Sequence, residues 1–142
     1  MADYGYQFSF PRGYDPAKTP DADEFYVDHD EFDKYVTVIE SCVFHQKGLV
    51  GENLKLEKWQ KDIVGALFCI KHKVTDKRRY KEAFIYVPRK NGKSMLCSAL
   101  ACAYLLLDSE KGKQVVSAAG SRDQASLIHG PLKFSIMNEK SP

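Results

Sequence analysis

Phe84 to Ser94 reads F-I-Y-V-P-R-K-N-G-K-S, which sets Gly92, Lys93 and Ser94 side by side. Those three residue types suit a phosphate group. A glycine lets backbone N–H groups come close to the oxygens. A lysine reaches the β- and γ-phosphates, and a hydroxyl helps hold Mg2+. A helix beginning at this point adds an N-terminal dipole that favours an anion. The full phosphate-loop pattern is G-x-x-x-x-G-K-[ST]. Val87 stands where the first glycine belongs, so the match is partial. Pro88 also removes one backbone donor. Arg89, Lys90 and Asn91 fill the loop, and the two cations offer charge in compensation. A plain basic turn with a solvated Lys93 would explain neither the glycine just before the helix nor the hydroxyl in its first turn.

The flanking segments are the ones such a loop needs. Glu82 to Val87 is nearly all apolar and predicts a strand covered on both faces, as in a parallel sheet. The run from Lys93 to Leu107 is apolar almost all round and predicts a buried helix. Gln114 to Ala119 predicts a second strand. Ser121, with Gln124 three residues on, predicts a capped helix that Gly130-Pro131 ends or kinks. This order is a βαβα unit over 82–137, with a right-handed parallel pair. Upstream, 28–71 predicts a helical lead-in. Asp28 or Asp30 caps a first helix whose apolar face is Phe32, Tyr35, Val36, Ile39 and Val43, and Gly48 stops it. A second helix over about 57–71 turns Trp59, Ile63, Val64, Leu67 and Phe68 inward. Residues 1–27, with Pro11, Gly13, Pro16 and Pro20 among acids and aromatics, predict an extended or partly ordered acidic arm. The fold class expected is α/β: a partial P-loop NTPase fold, with a parallel sheet flanked by helices, preceded by an N-terminal helical segment.

The bulk composition narrows the setting. The chain has 142 residues, 44% of them hydrophobic, which suits one ordinary domain. No apolar run approaches the ~20 residues that span a bilayer, and the N-terminus lacks a signal-peptide pattern. A cytoplasmic protein is the expectation. Cys42, Cys69, Cys97 and Cys102 form no C-x-x-C pair and read as small buried hydrophobes. Cys42 and His45 are three apart, but no second ligand pair supports a metal there. Residues 1–33 hold nine acids against two bases, whereas the rest hold nineteen bases against ten acids. A basic body handling phosphates, or a tail docked on its own basic surface, would each account for that asymmetry. The connector Lys71 to Lys81 is strongly basic; it reads as a solvated loop or as a contact to DNA backbone. Asp108 and Glu110 resemble a second Mg2+-organising acid, but they close the helix begun at Lys93, about 20 Å from the phosphates at ~1.5 Å per residue.

V-P-R-K-N-G-K-S, the upstream Trp59-Gln60 within K-G-L-V-G-E-N-L-K-L-E-K-W-Q, and the downstream A-A-G-S-R-D-Q-A together resemble the N-terminal ATPase region of phage terminase large subunits. The resemblance runs from about Asp28 to Met137 and includes the missing first glycine, which is usual in that family. It implies ATP and Mg2+ as ligands, with Lys93 and Ser94 on the β/γ-phosphates and the metal, and Lys90, Asn91 and Gly92 in the cradle. It implies that Arg89 acts on the γ-phosphate and that Gln60 reads adenine. An amide can pair bidentately with adenine N6 and N7. Read alone, Gln60 is a polar residue on an exposed helix face, and Trp59 is core rather than a stacker. The helix after Ala119 is similar to motif Ia of helicases, so Ser121, Arg122 and Gln124 face DNA or nucleotide, although capping explains Ser121 and Gln124 equally. The resemblance further implies a motor that moves double-stranded DNA in the host cytoplasm, working with a small terminase subunit and a portal protein as a homo-oligomer. The family continues through an acidic strand and a nuclease domain, so a fragment with little hydrolysis of its own is expected here. The alternatives are a non-catalytic interaction module of the same fold and a fragment of a helicase-like ATPase.

Overall fold

The structure, a computed structural model, describes residues 2–10, 14–43 and 51–137. Gly48 and His45 lie outside the described residues. The chain forms two compact units, Met1–Val36 with Leu56–Ile85 and Thr37–Lys55 with Tyr86–Pro142.

In the first unit the acidic N-terminal segment contributes core. Tyr4 and Phe8 are buried in one apolar cluster with Ala17, Ala22, Val27, Ala66 and Ile70. Two short 3-10 turns, Pro16–Lys18 and Ala22–Glu24, lead into strand β1 (Phe25–Val27). β1 pairs antiparallel with β2 (Ile70–His72), Phe25 opposite His72 and Val27 opposite Ile70. The basic connector after β2 is a hairpin rather than a loop. His72 N donates to Lys77 O at 2.9 Å and Arg79 N to Ile70 O at 2.8 Å. Folding back this way turns Arg79 inward. Its guanidinium donates to Tyr4 Oη (3.2 Å), Pro16 O (3.0 Å), Thr19 Oγ1 (2.6 Å) and Asp21 Oδ1 (2.6 Å). It also lies 4.6 Å from the Phe25 ring centroid. Only a planar fork of five donors can stitch so many acceptors at once.

Helix α1 (His29–Cys42) starts where a cap was expected. Asp28 Oδ1 accepts the Glu31 amide at 2.9 Å. Phe32, Tyr35, Ile39 and Val43 are buried, as their spacing predicts. Lys71 reaches across from β2 to Asp28 Oδ2 (3.1 Å) and Glu31 Oε2 (2.6 Å). Burial alone raises the Asp28 carboxyl, but the Glu31 amide and the Lys71 ammonium outweigh it and hold it below the usual carboxylate range. Burial likewise works against the Lys71 charge, and the two carboxylates override it upward.

The single helix expected over 57–71 is three elements. Helix α2 spans Lys58–Val64, a π-helical turn covers Gly65–Cys69, and β2 begins at Ile70. The buried residues include Gln60, Asp62, Val64 and Phe68, while Trp59 and Ile63 stay half-exposed. A Cβ at Gly65 would stand 3.0 Å from the Phe32 ring, so a side chain there would press on α1.

The second unit holds α3 (Lys93–Leu107) and α4 (Arg122–Met137). Ala99, Ala101, Cys102 and Ala103 are small and buried, which lets α3 pack closely, whereas Leu106 is exposed. Ser121 Oγ accepts the Gln124 amide at 3.3 Å and caps α4, which runs on through Pro131 instead of stopping. The two strands expected at 82–87 and 114–119 do not form. The sheet of the described residues is β1–β2 alone, and it is antiparallel. Phe84, Tyr86 and Val116 are 92%, 87% and 85% exposed. An apolar run becomes a central strand only when neighbours complete its ladder and layers cover both faces. Without those partners the composition of 82–87 fixes no ladder.

The Asp28–Lys71 contact gives a pH signature. A carboxyl whose folded pKa lies below its unfolded one adds stability that is fully present above the unfolded value, about 3.9, and is lost as pH falls through the folded value. Urea denaturation at pH 7 should place Asp28→Asn about 1–2 kcal/mol below wild type. Between pH 5 and 3, wild type should lose stability more steeply than the variant. Parallel acid limbs would contradict this assignment.

Candidate phosphate-binding site

The loop from Arg89 to Gly92 takes its shape from two left-handed residues. After Pro88 the chain turns at Arg89 and Lys90, and Asn91 Nδ2 donates back to Pro88 O at 3.3 Å. Lys90 has φ 69° and Gly92 has φ 68°. Left-handed backbone costs an L-residue roughly 1–2 kcal/mol, and Gly92 avoids that cost whereas Lys90 bears it. Strained non-glycine residues of this kind gather at ligand clamps. Gly92 is the N-cap of α3, with φ 68° and ψ 17°, and no side chain caps it. Its carbonyl accepts the Leu96 amide at 2.9 Å. The amides of the first turn that precede Leu96, those of Lys93, Ser94 and Met95, have no partner within the helix. The loop therefore presents a row of donors at a helix N-terminus.

The side chains add to that polarity. Arg89, Lys90, Asn91, Gly92, Lys93 and Ser94 are all exposed. No acid occurs from Ala83 to Leu107, so three cations share one short stretch without a carboxylate in sequence to neutralise them. Burial pushes the Cys97 thiol up, and the Lys93 charge opposes this. A phosphate in this cradle would meet N–H groups, an ammonium and a hydroxyl at once, which is the donor set that phosphoryl oxygens and a bound Mg2+ require.

Gln60 belongs to the first unit, so the structure groups it with neither Lys93 nor Arg89. It is buried rather than exposed. Its Oε1 accepts the Glu57 amide at 2.9 Å, which closes a capping box with Glu57. Trp59 is half-exposed and donates from Nε1 to Glu57 Oε2 at 2.6 Å, so it is not the core residue that its place on the apolar stripe suggested. Asp108 closes α3: its Oδ1 accepts the Glu110 amide at 2.9 Å, and the Tyr104 hydroxyl donates to Glu110 Oε2, also at 2.9 Å. Both acids serve the far end of the helix.

The family model for the terminase large subunit ATPase domain matches residues 58–141, which cover α2, the Arg89–Gly92 loop, α3 and α4. The chain belongs to the terminase large subunit ATPase domain family. No curated protein and no solved structure matches it significantly. Two residues that matter locally escaped the sequence reading of this terminase domain. Ser98 is 1% exposed inside α3, where an isolated serine in an apolar run is the only signal of it. Asp62 is wholly buried in α2, and nothing in its spacing distinguishes it from a solvated acid.

Gly92 offers a direct test of the loop geometry. Gly92→Ala should lower thermal or urea stability by about 1 kcal/mol through left-handed strain, and Gly92→Asn should lose about half as much, since asparagine tolerates this conformation better. Equal stability of all three proteins would show that the left-handed turn is not held.

Proposed function

We propose that this chain is the ATP-binding N-terminal portion of a viral DNA-packaging motor, with residues 28–142 forming that portion of the ATPase domain. In this reading the complete motor couples ATP hydrolysis to translocation of double-stranded DNA into a prohead. It would work in the host cytoplasm as a homo-oligomer, with a small terminase subunit and a portal protein as partners. The observation that carries the reading is the Arg89–Ser94 loop, held at a helix N-terminus by a left-handed Gly92, inside a segment that matches a terminase ATPase family.

Each residue has a role in this site. The amides of the first turn of α3 and the Lys93 ammonium would hold the β- and γ-phosphate oxygens. The Ser94 hydroxyl would hold Mg2+, which when bound spreads and neutralises the phosphate charge. Lys90 and Asn91 set the loop's curvature. Arg89 would approach the γ-phosphate as charge develops there. Gln60 would read adenine with the amide NH2 that its capping bond leaves available. The nearly all-apolar composition of 82–87 supports that segment as a strand of a parallel sheet in the assembled motor.

Calorimetry with Mg-ATP tests the reading. Lys93→Ala should weaken binding about tenfold or more, the scale of one lost charge-assisted contact. Gln60→Glu keeps the oxygen that caps α2 but loses the NH2 donors. It also places a carboxylate in a buried position, so it should lower stability, and it should cut the preference for ATP over GTP by about tenfold, within the ~1–3 kcal/mol of a bidentate base contact. Equal heats for wild type and Lys93→Ala, or none in either, would instead favour a non-catalytic module of the same fold.

A further inference from the structure

A buried serine in the middle of an apolar helix needs an explanation. Alanine would be a better helix former and would bury no polar group. Ser98 is 1% exposed, and its hydroxyl has two acceptors. One is the carbonyl of Ser94 at 3.0 Å, four residues back in the first turn of α3. The other is the carbonyl of Ile128 in α4, at 2.5 Å. A hydroxyl has one proton to give, so the two carbonyls compete for it.

The acceptor in α4 sits where that helix is weakest. Pro131 lies inside α4. It has no amide for the Leu127 carbonyl, and its ring crowds that carbonyl. Gly130, just before it, adds backbone freedom. Ser98 thus holds α4 beside the break in its own ladder. One turn earlier, Ser117 Oγ donates to Ala125 O at 2.9 Å and lies 2.8 Å from His129 Nε2. Two serine hydroxyls, one from α3 and one from the segment before α4, therefore grip α4 on its N-terminal side of the proline.

Resting on the phosphate-site reading above, we propose that Ser98 is a positioning residue through which the occupied phosphate loop controls α4. Ser94 offers its hydroxyl to the metal and its carbonyl to Ser98. When phosphate and Mg2+ order the first turn of α3, the Ser94 carbonyl shifts, and the shared proton divides differently between Ser94 and Ile128. The proline-weakened part of α4 responds because its own ladder cannot hold it. The hydroxyl with two acceptors is the element with two arrangements that such coupling requires.

Amide hydrogen exchange decides this, on wild type, Ser98→Ala, Pro131→Ala and the double variant. Pro131→Ala restores an amide for Leu127 and stiffens α4. In the absence of nucleotide it should slow exchange in residues 92–97 at least threefold when Ser98 is present, and have no effect there in the Ser98→Ala background. Saturating Mg-ATP should slow exchange over 128–134 in wild type, with at least fivefold less slowing in Ser98→Ala. An equal effect of Pro131→Ala on residues 92–97 in both backgrounds overturns the proposal, as does ATP protection of α4 that survives Ser98→Ala unchanged. If wild type binds no Mg-ATP, the nucleotide reading fails while the nucleotide-free cycle still decides the link. Ser98→Cys, of similar size and a poor donor, replaces Ser98→Ala in the cycle if the alanine variant does not fold.

Discussion

The first unit is organised around a charge taken out of water. Asp62 is 0% exposed, and an isolated carboxylate there would be prohibitive. It is satisfied by three donors: the Tyr6 hydroxyl at 2.7 Å, the Ser9 amide at 3.0 Å, and the Lys58 ammonium one turn before it. Two of those donors come from the N-terminal segment, so satisfying Asp62 dictates where that segment lies. Lys58 also donates to Gln7 O at 2.9 Å and sits over the Tyr6 ring. Once Tyr6 and Ser9 are fixed, Tyr4 and Phe8 have one side of the chain left to bury, and they complete the apolar cluster. Arg79 repeats the logic from the opposite charge, drawing Tyr4, Pro16, Thr19 and Asp21 toward the β-hairpin. Buried ion pairs add less net stability than their Coulomb energy suggests, because desolvation offsets it. Their effect here is on arrangement: removing either centre strands several polar groups at once.

The second unit depends on a backbone constraint instead. Gly92 must be left-handed for α3 to begin where it does, and α3 must begin there for Lys93 and Ser94 to stand at a helix N-terminus. The small residues Ala99, Ala101, Cys102 and Ala103 then permit close packing, and Ser98 takes the one polar position in that buried stripe. The loop is thus held from below by a packed helix while its own residues stay in water. That division suits a ligand site, because the scaffold is rigid and the donors remain accessible.

What was legible in the sequence follows from what is local. The start of α1 at Asp28, the span of α3 and the Ser121 cap depend on residues within a turn of one another, and their chemistry reads directly from the chain. The helix start at Lys93, just after Gly92, was legible for the same reason. The strands at 82–87 and 114–119 were not, because a strand is a relation between distant segments and composition names only one side of it. The break in α2 was hidden differently. Gly65 sits amid a good helical pattern, and its close approach to Phe32, thirty-three positions away, is a contact that no local pattern reveals. Gln60, read alone, is an exposed polar residue and Asp62 carries no local signal, and both are buried because the capping box and the N-terminal segment claim them.

The same contacts account for part of the charge asymmetry. Four of the nine acids in residues 1–33 pair with a lysine or an arginine. Asp15 pairs with Lys18, Asp21 with Arg79, and Asp28 and Glu31 with Lys71. Two of the three bases used come from the basic connector, so Lys71 and Arg79 are committed inward and withdrawn from any role at a nucleic-acid backbone. Ion pairs at contact distance attenuate each other's field beyond about one Debye length, ~8 Å at physiological salt. The cations of Arg89, Lys90 and Lys93 stand in a stretch without acids, from Ala83 to Leu107, and keep their field. A strongly basic connector is the more obvious electrostatic feature in the sequence, and two of its cations, Lys71 and Arg79, are spent on folding. The shorter basic run, three cations around one glycine with no acid beside it in sequence, offers positive potential to a phosphate.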